Sequence, residues 1–220
     1  LKYSKLIDKI LVATTSSESD DELCHYVKKL GIEVYRGSTD DVLKRVYKAA
    51  KKYCPDSVIR LTGDYPLIDP VIVDDLIIDF HKKNVDYSST DSSFAEGLDA
   101  EIIKFEILKI CYKEARLISE REHITQYIHN NKSRFKMSNT FSNVNYGNIR
   151  IVVDEIEDYE VISKLVNFLS KRFNKKRYFF DDIRNLLMIN HNLVKLNSNI
   201  IRNEGLQISL LSDGIYKNQE

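Results

Sequence analysis

Apolar runs and amphipathic stretches alternate along the first part of the chain. Residues 10–12 are a short, partly β-branched run closed by Ala13-Thr14-Thr15, a pattern that predicts a buried strand. Ser19-Asp20-Asp21-Glu22 has capping-box spacing, and Leu23, Val27 and Leu30 recur at helical intervals until Gly31 stops the helix. Residues 32–35 repeat the strand signal. Ser38-Thr39-Asp40-Asp41 repeats the helix start ahead of Val42, Leu43, Val46 and Ala49. A third strand is expected over residues 57–61. Thr62-Gly63-Asp64-Tyr65-Pro66 closes it, and Asp69 caps a helix with Pro70 at its first position and Val73, Leu76, Ile77 and Phe80 on one face. Strands alternating with helices in this way predict an α/β fold: a largely parallel, twisted sheet flanked by helices.

Beyond Asp86 the pattern loosens. Residues 85–87 suit a strand, residues 101–115 read as strand or helix, and residues 119–129 as a helix. Residues 135–141 alternate moderately and suit an edge strand or an arm. Residues 149–153 return to the composition of a buried strand, and residues 158–173 predict a long helix. Residues 171–177 read as a helix end or linker. An α/β domain over residues 1–175 followed by a helical appendage and polar tail over 176–220 is therefore expected.

Composition narrows the chemistry. Of 220 residues, 43% are hydrophobic and 30% charged, ordinary globular usage that excludes wholesale disorder. Thirty-three Lys and Arg cancel 33 Asp and Glu, so no global field draws the chain to nucleic acid or anionic lipid, and phosphate chemistry needs a local site. Cys24, Cys54 and Cys111 lie far apart, a spacing that fits buried thiols in a reducing compartment better than a zinc or disulfide framework. No apolar run approaches a membrane span, which leaves the cytoplasm as the expected location.

In open α/β sheets, ligands gather outside the carboxyl ends of strands. Asp64 follows one candidate strand, with Gly63 beside it allowing close backbone approach and Pro66 and Pro70 stiffening its loop. Asp154 follows another, 90 positions later. Two carboxylates from two strand ends suit Mg²⁺, which keeps several waters and takes one or two protein oxygens plus substrate phosphates. An Asp after a strand is also a common turn former or cap, and spacing alone favours that reading. The doublets Asp20-Asp21, Asp40-Asp41, Asp74-Asp75 and Asp181-Asp182 lie near helix starts or on exposed faces and are assigned no chemistry.

Arg36-Gly37-Ser38-Thr39-Asp40-Asp41-Val42-Leu43 and Arg60-Leu61-Thr62-Gly63-Asp64-Tyr65-Pro66-Leu67-Ile68-Asp69-Pro70 resemble consecutive signatures of the spore-coat-polysaccharide-type cytidylyltransferases. These are relatives of the enzymes that make CMP-activated acidic sugars. Glu96-Gly97-Leu98-Asp99-Ala100-Glu101, Ser119-Glu120-Arg121-Glu122-His123-Ile124-Thr125 and Ile149-Arg150-Ile151-Val152-Val153-Asp154 extend the resemblance in the family's order.

The resemblance implies a nucleotide-diphosphosugar-transferase-like fold and transfer of CMP from CTP to a sugar or acidic sugar, with release of pyrophosphate, in surface polysaccharide or glycan biosynthesis. It makes Asp64 and Asp154 metal-binding aspartates for Mg²⁺ and, with Arg60, catalytic. Arg36, Ser38, Asp41 and Gly63 become nucleotide-side residues, and Asp99, Glu101, Arg121 and His123 substrate-side residues. Bland alternatives stand beside several of these. Ser38 and Asp41 also make an adequate helix cap; Arg60 meets a ligand anion or holds the loop by pairing with an Asp; Asp99 and Glu101 suit a turn and edge strand; Ser119 and Glu122 suit a cap; and His123 suits a structural hydrogen bond. A possible homodimer is implied, with residues 135–141 as an exchanged arm.

Family members begin with a strand and a loop rich in Gly, Ser, Arg and Lys, which nothing in this sequence matches. The expectation is a chain that lacks this first strand and phosphate loop. Beside the enzyme, this keeps open a truncated, catalytically inactive remnant or interaction protein of the same fold.

Overall fold

The computed structural model describes residues 1–173 and 178–217. Its strands are β1 (Leu11–Thr15), β2 (Glu33–Gly37), β3 (Ser57–Arg60), β4 (Tyr87–Thr90), β5 (Glu101–Lys104) and β6 (Met137–Thr140). Among the described residues they form a two-stranded sheet, β1-β2, and a four-stranded sheet in the order β3-β5-β4-β6. The order is non-sequential, as expected of an α/β chain that crosses over. The chain divides into two compact units, Leu1–Ile7 with Ile59–Ile102 and Ser138–Arg202, and Asp8–Val58 with Ile103–Met137 and Asn203–Glu220.

In the second unit β1 pairs in parallel with β2, Leu11 opposite Glu33 through Thr15 opposite Gly37. Helix α1 (Asp21–Lys29) connects them, and Gly31 takes the expected left-handed φ of 71° just beyond its end. The helix start differs from expectation. Asp20 makes no cap bond; its Oδ2 instead accepts from Thr14 Oγ1 at 2.5 Å, the Thr15 N–H at 2.9 Å and Thr15 Oγ1 at 2.7 Å. These donors, Thr14 foremost, pull its carboxyl down to about 2. The amphipathic helix α2 (Val42–Lys51) packs against β1, α4 (Phe105–Glu114) and α5 (Ile118–Glu122). The helix expected over 119–129 is broken into α5 and α6 (Gln126–Asn130), with His123 at an extended φ of −103° and ψ of 94° between them. The ambiguous run from Glu101 proves to be both elements, β5 leading straight into α4.

In the first unit α3 (Pro70–Lys83) begins as expected: Asp69 Oδ1 accepts from the Val71 N–H at 2.8 Å, with Pro70 in the first turn. The other oxygen of Asp69 accepts from the Phe180 N–H at 2.7 Å, so one carboxylate serves α3 and the start of α8 (Phe180–Ile189). The long helix α7 (Ile156–Phe173) and α8 pack together around a core that includes Leu98, Ile151, Val161, Leu165, Leu169, Phe180, Ile183 and Leu187. A second cluster joins Val73, Leu76, Ile77 and Phe80 of α3 to Ile102 of β5.

Three expectations are corrected. The division at residue 175 does not match the packing. Phe180, Ile183, Leu186, Leu187 and Leu193, the last on α9 (His191–Lys195), are buried in the core of the first unit, while α10 (Glu204–Leu211) belongs to the second. Of residues 149–153 the middle three are buried and Ile149 and Val153 half-buried, but the run does not form a ladder strand; it makes one parallel bridge, Glu96 to Arg150, with hydrogen bonds from the Glu96 N–H to Ile149 O and from the Ile151 N–H to Glu96 O. Cys54 is exposed, unlike Cys24 and Cys111. Most of the expected linker, residues 174–177, lies outside the described residues. No helix among the described residues is long and apolar enough to cross a membrane.

Gly97 makes the bridge possible. Its φ is 102°, and a Cβ there would lie 2.5 Å from the Ile151 carbonyl oxygen. Gly97→Ala is expected to lower stability by about 1–3 kcal/mol, since neither backbone yields cheaply. Urea denaturation reads this out, and an unchanged midpoint would show that the close approach is not maintained in solution.

Candidate active site

The two carboxylates at loop ends meet. The Val153 N–H donates to the Asp64 carbonyl at 3.0 Å, which ties the loop after β3 to the segment before α7 and sets Asp154 beside Asp64. Asp154 titrates above the usual carboxylate range, first because its half-exposed carboxyl is partly desolvated and next because of the Asp64 charge. The neighbouring Arg150 acts in the opposite sense, its Nη2 lying 3.0 Å from Asp154 Oδ2.

Arg150 is the hub of the surroundings. Its guanidinium, 7% exposed, faces Glu96 Oε1 at 2.7 Å, Asp158 Oδ2 at 2.8 Å and Asp154. One cation thus serves three carboxylates, and Asp64 adds a fourth close by. This excess of negative charge, with oxygen donors only, fits a hard divalent cation. Among the described residues no three His, Cys, Asp or Glu side chains cluster as a metal cage. A cation held by Asp64 and Asp154 would therefore complete its shell with water and substrate oxygens, the habit of Mg²⁺.

The other residues expected in this unit lie near by in the fold. Arg60, at the end of β3, pairs its Nη1 with Glu101 Oε2 at 3.1 Å, and Glu101 Oε1 accepts from the Tyr87 hydroxyl at 2.6 Å. The partner of Arg60 is thus a Glu on β5 rather than an Asp of its own loop. Asp99 accepts from the Gly97 N–H at 3.0 Å and from Arg202 Nη2. Gly63 is exposed, and a Cβ there would meet nothing within 4 Å, so the protein itself makes no use of its missing side chain. Tyr65, which sequence reasoning passed over, feels the charges of Asp99, Asp64 and Arg60 together. Burial, then Asp99, pushes its phenol up to about 12, so it remains a hydrogen-bond donor at neutral pH.

The remaining expected residues lie in the second unit and are engaged within it. Arg36 donates from Nε to Thr15 O at 3.0 Å and from Nη2 to Ser17 O at 2.6 Å, and pairs with Asp21. Ser38 Oγ accepts from the Asp41 N–H at 3.1 Å, and Asp41 Oδ1 accepts from the Lys44 N–H at 2.8 Å, which makes Asp41 the cap of α2. Arg121 is buried with Nη1 3.5 Å from Asp41 Oδ2, between the rings of Tyr112 and Tyr216. His123 lies 3.8 Å from Glu122. The expected Ser119 and Glu122 cap is replaced: Ser119 Oγ donates to Asp213 Oδ2 at 2.6 Å, while Glu120 Oε2 accepts from the Arg116 and Leu117 N–H groups.

Sequence reasoning also missed Arg150, Asp158, Glu96 and Asn197. One signal was present: an arginine inside the apolar run 149–153 must find a buried counter-charge.

Residues 1–204 match the family model described as Cytidylyltransferase. A protein of Methanocaldococcus jannaschii is 35% identical over 202 residues, covering 91% of this chain and 81% of that protein. The spore coat polysaccharide biosynthesis protein SpsF of Bacillus subtilis is 31% identical over 176 residues, 77% of this chain and 72% of SpsF. Among solved structures, a cytidylyltransferase from Leptospira borgpetersenii superposes with a TM-score of 0.84 at 32% identity, covering 92% of this chain and 84% of that one.

The carboxylate pair predicts a directional pH effect. Replacing Asp64 by Asn removes the charge that helps raise Asp154, so the Asp154 carboxyl should titrate at lower pH than in the unaltered protein while burial keeps part of its upward shift. Carboxyl-carbon NMR measures this, and an unmoved Asp154 midpoint would mean that the two groups do not face each other.

Proposed function

The chain belongs to the cytidylyltransferase family, and from that membership we propose that it moves CMP from CTP to a hydroxyl of a sugar or acidic sugar, with release of pyrophosphate, in the assembly of a surface polysaccharide or other glycan. The pairing of Asp64 with Asp154 carries this reading. Asp64 and Asp154 would hold Mg²⁺, which when bound supplies positive charge against the α-phosphate and the departing pyrophosphate.

The sugar oxygen forms its bond to the α-phosphorus as the bond to the pyrophosphate oxygen breaks, and the hydroxyl proton passes to solvent. The chain's own contribution is position and field. The hydrogen bond from the Val153 N–H to Asp64 fixes the separation of the two carboxylate loops before substrate arrives, so little reorganisation is left for the reaction itself. Tyr65, protonated at neutral pH, donates a hydrogen bond to a sugar or phosphate oxygen beside Asp64. Arg60, one guanidinium edge engaged by Glu101, offers its positive charge to the same neighbourhood.

Pyrophosphate release from CTP and Mg²⁺, measured across a panel of neutral sugars and sugar acids, tests the proposal. Release that depends on one class of sugar is expected, and pyrophosphate no higher with any sugar than with CTP alone would refute it. Asp64→Ala and Asp154→Ala should each lower the rate by about 100-fold or more; rates near that of the unaltered enzyme would remove the carboxylate pair from the chemistry.

Tyr65→Phe keeps the ring and deletes only the donor. A rise in the KM for sugar or a fall in kcat of roughly tenfold is expected, the equivalent of about one hydrogen bond. Unaltered steady-state constants would exclude Tyr65 from the site.

A further inference from the structure

Asp158 is fully buried, at 0% exposure, yet its carboxyl is held below the usual range. Burial alone would raise it. The arginine outweighs that cost, helped by donors that saturate both oxygens. Oδ1 accepts from Arg150 Nε at 2.9 Å and Asn197 Nδ2 at 2.8 Å. Oδ2 accepts from Arg150 Nη2 at 2.8 Å and from the N–H groups of Asp154 at 3.2 Å and Glu155 at 3.1 Å.

Two holds on Asp154 follow. Its main chain is fixed by Asp158 and its side chain by Arg150, which matters because that side chain is itself 51% exposed. Asn197, 2% exposed and 39 positions from Asp158, closes the arrangement from the segment after α9. Its Nδ2 also donates to the Arg150 carbonyl at 3.2 Å, so one amide clamps both residues that hold Asp154.

We propose that Asn197 is a positioning residue for Asp154: acting through Asp158 and Arg150, it keeps the Asp154 carboxylate opposed to Asp64. This rests on the carboxylate pair's role in the proposed reaction. It gives the segment after α9 a part in the site. Without the Asn197 donor, Asp158 Oδ1 keeps only Arg150 Nε and the Arg150 carbonyl loses its bond to Nδ2, so the two residues that hold Asp154 are themselves less firmly held.

Mn²⁺ alone, titrated into the protein and followed by water-proton relaxation, tests this without turnover. Asn197→Ala and the similarly sized Asn197→Leu are compared at a temperature where circular dichroism shows each folded. Both should weaken Mn²⁺ binding by about tenfold, the usual effect of losing a residue that supports a metal ligand. Ser198→Ala, which removes only an exposed bond to the Lys195 carbonyl, should leave it unchanged. If Asp154→Ala weakens binding but a folded Asn197 variant does not, the inference fails while the carboxylate pair stands. If Asp154→Ala also binds Mn²⁺ normally, the pair and the inference fall together. If the Asn197→Ala protein does not fold, Asn197→Leu decides, because the leucine side chain fills the site while lacking the donor.

Discussion

A guanidinium taken out of water must be met along its edges, and the way Arg150 is met organises the candidate site. Glu96, Asp158 and Asp154 each take a share of it. Removing one partner of such a group typically costs about 3–5 kcal/mol, since the charge left behind cannot reach solvent. The arrangement is therefore a constraint more than a store of stability: the segment carrying Asp154 has few other places to go. Gly97 belongs to the same constraint, because its open α-carbon lets Glu96 and Arg150 bridge.

The electrostatics have a direction. One arginine among three carboxylates, with Asp64 adjacent, leaves more negative than positive charge around Asp154, and after desolvation the Asp64 charge is what raises the Asp154 carboxyl, against the pull of Arg150. A structural ion-pair cluster tends toward neutrality, whereas a site for a divalent cation benefits from a surplus of anionic oxygen. The proposed reaction would give those carboxylates a chemical use, since a triphosphate would bring further anionic oxygens to the same cation.

Local signals were the legible ones. Asp69 and Pro70 announce α3 because cap and ring act within one turn. Gly31 marks the end of α1 for the same reason. The run from Glu101 was ambiguous because β5 passes into α4 without an intervening loop, so the two periodicities share one apolar stretch. Residues 149–153 have the composition of a strand, yet their pairing is confined to one bridge, which depends on a glycine far back in the chain. Ser19 and Glu22 have the spacing of a capping box, but Ser19 lies inside a short 3-10 turn, and Asp20, just before α1, is captured by two threonines that precede it. At the site, Asp64 and Asp154 stood out by their place after apolar runs and by resemblance. Asp158, Asn197 and Tyr65 did not, because their roles arise only when distant segments pack.

The most direct test of the carboxylate pair is a crystal structure of the protein with CTP and Mn²⁺, read by anomalous scattering at the manganese edge. The account predicts a peak between Asp64 and Asp154, within coordination distance of both and of the triphosphate. A bound nucleotide whose manganese lies away from either carboxylate would contradict it.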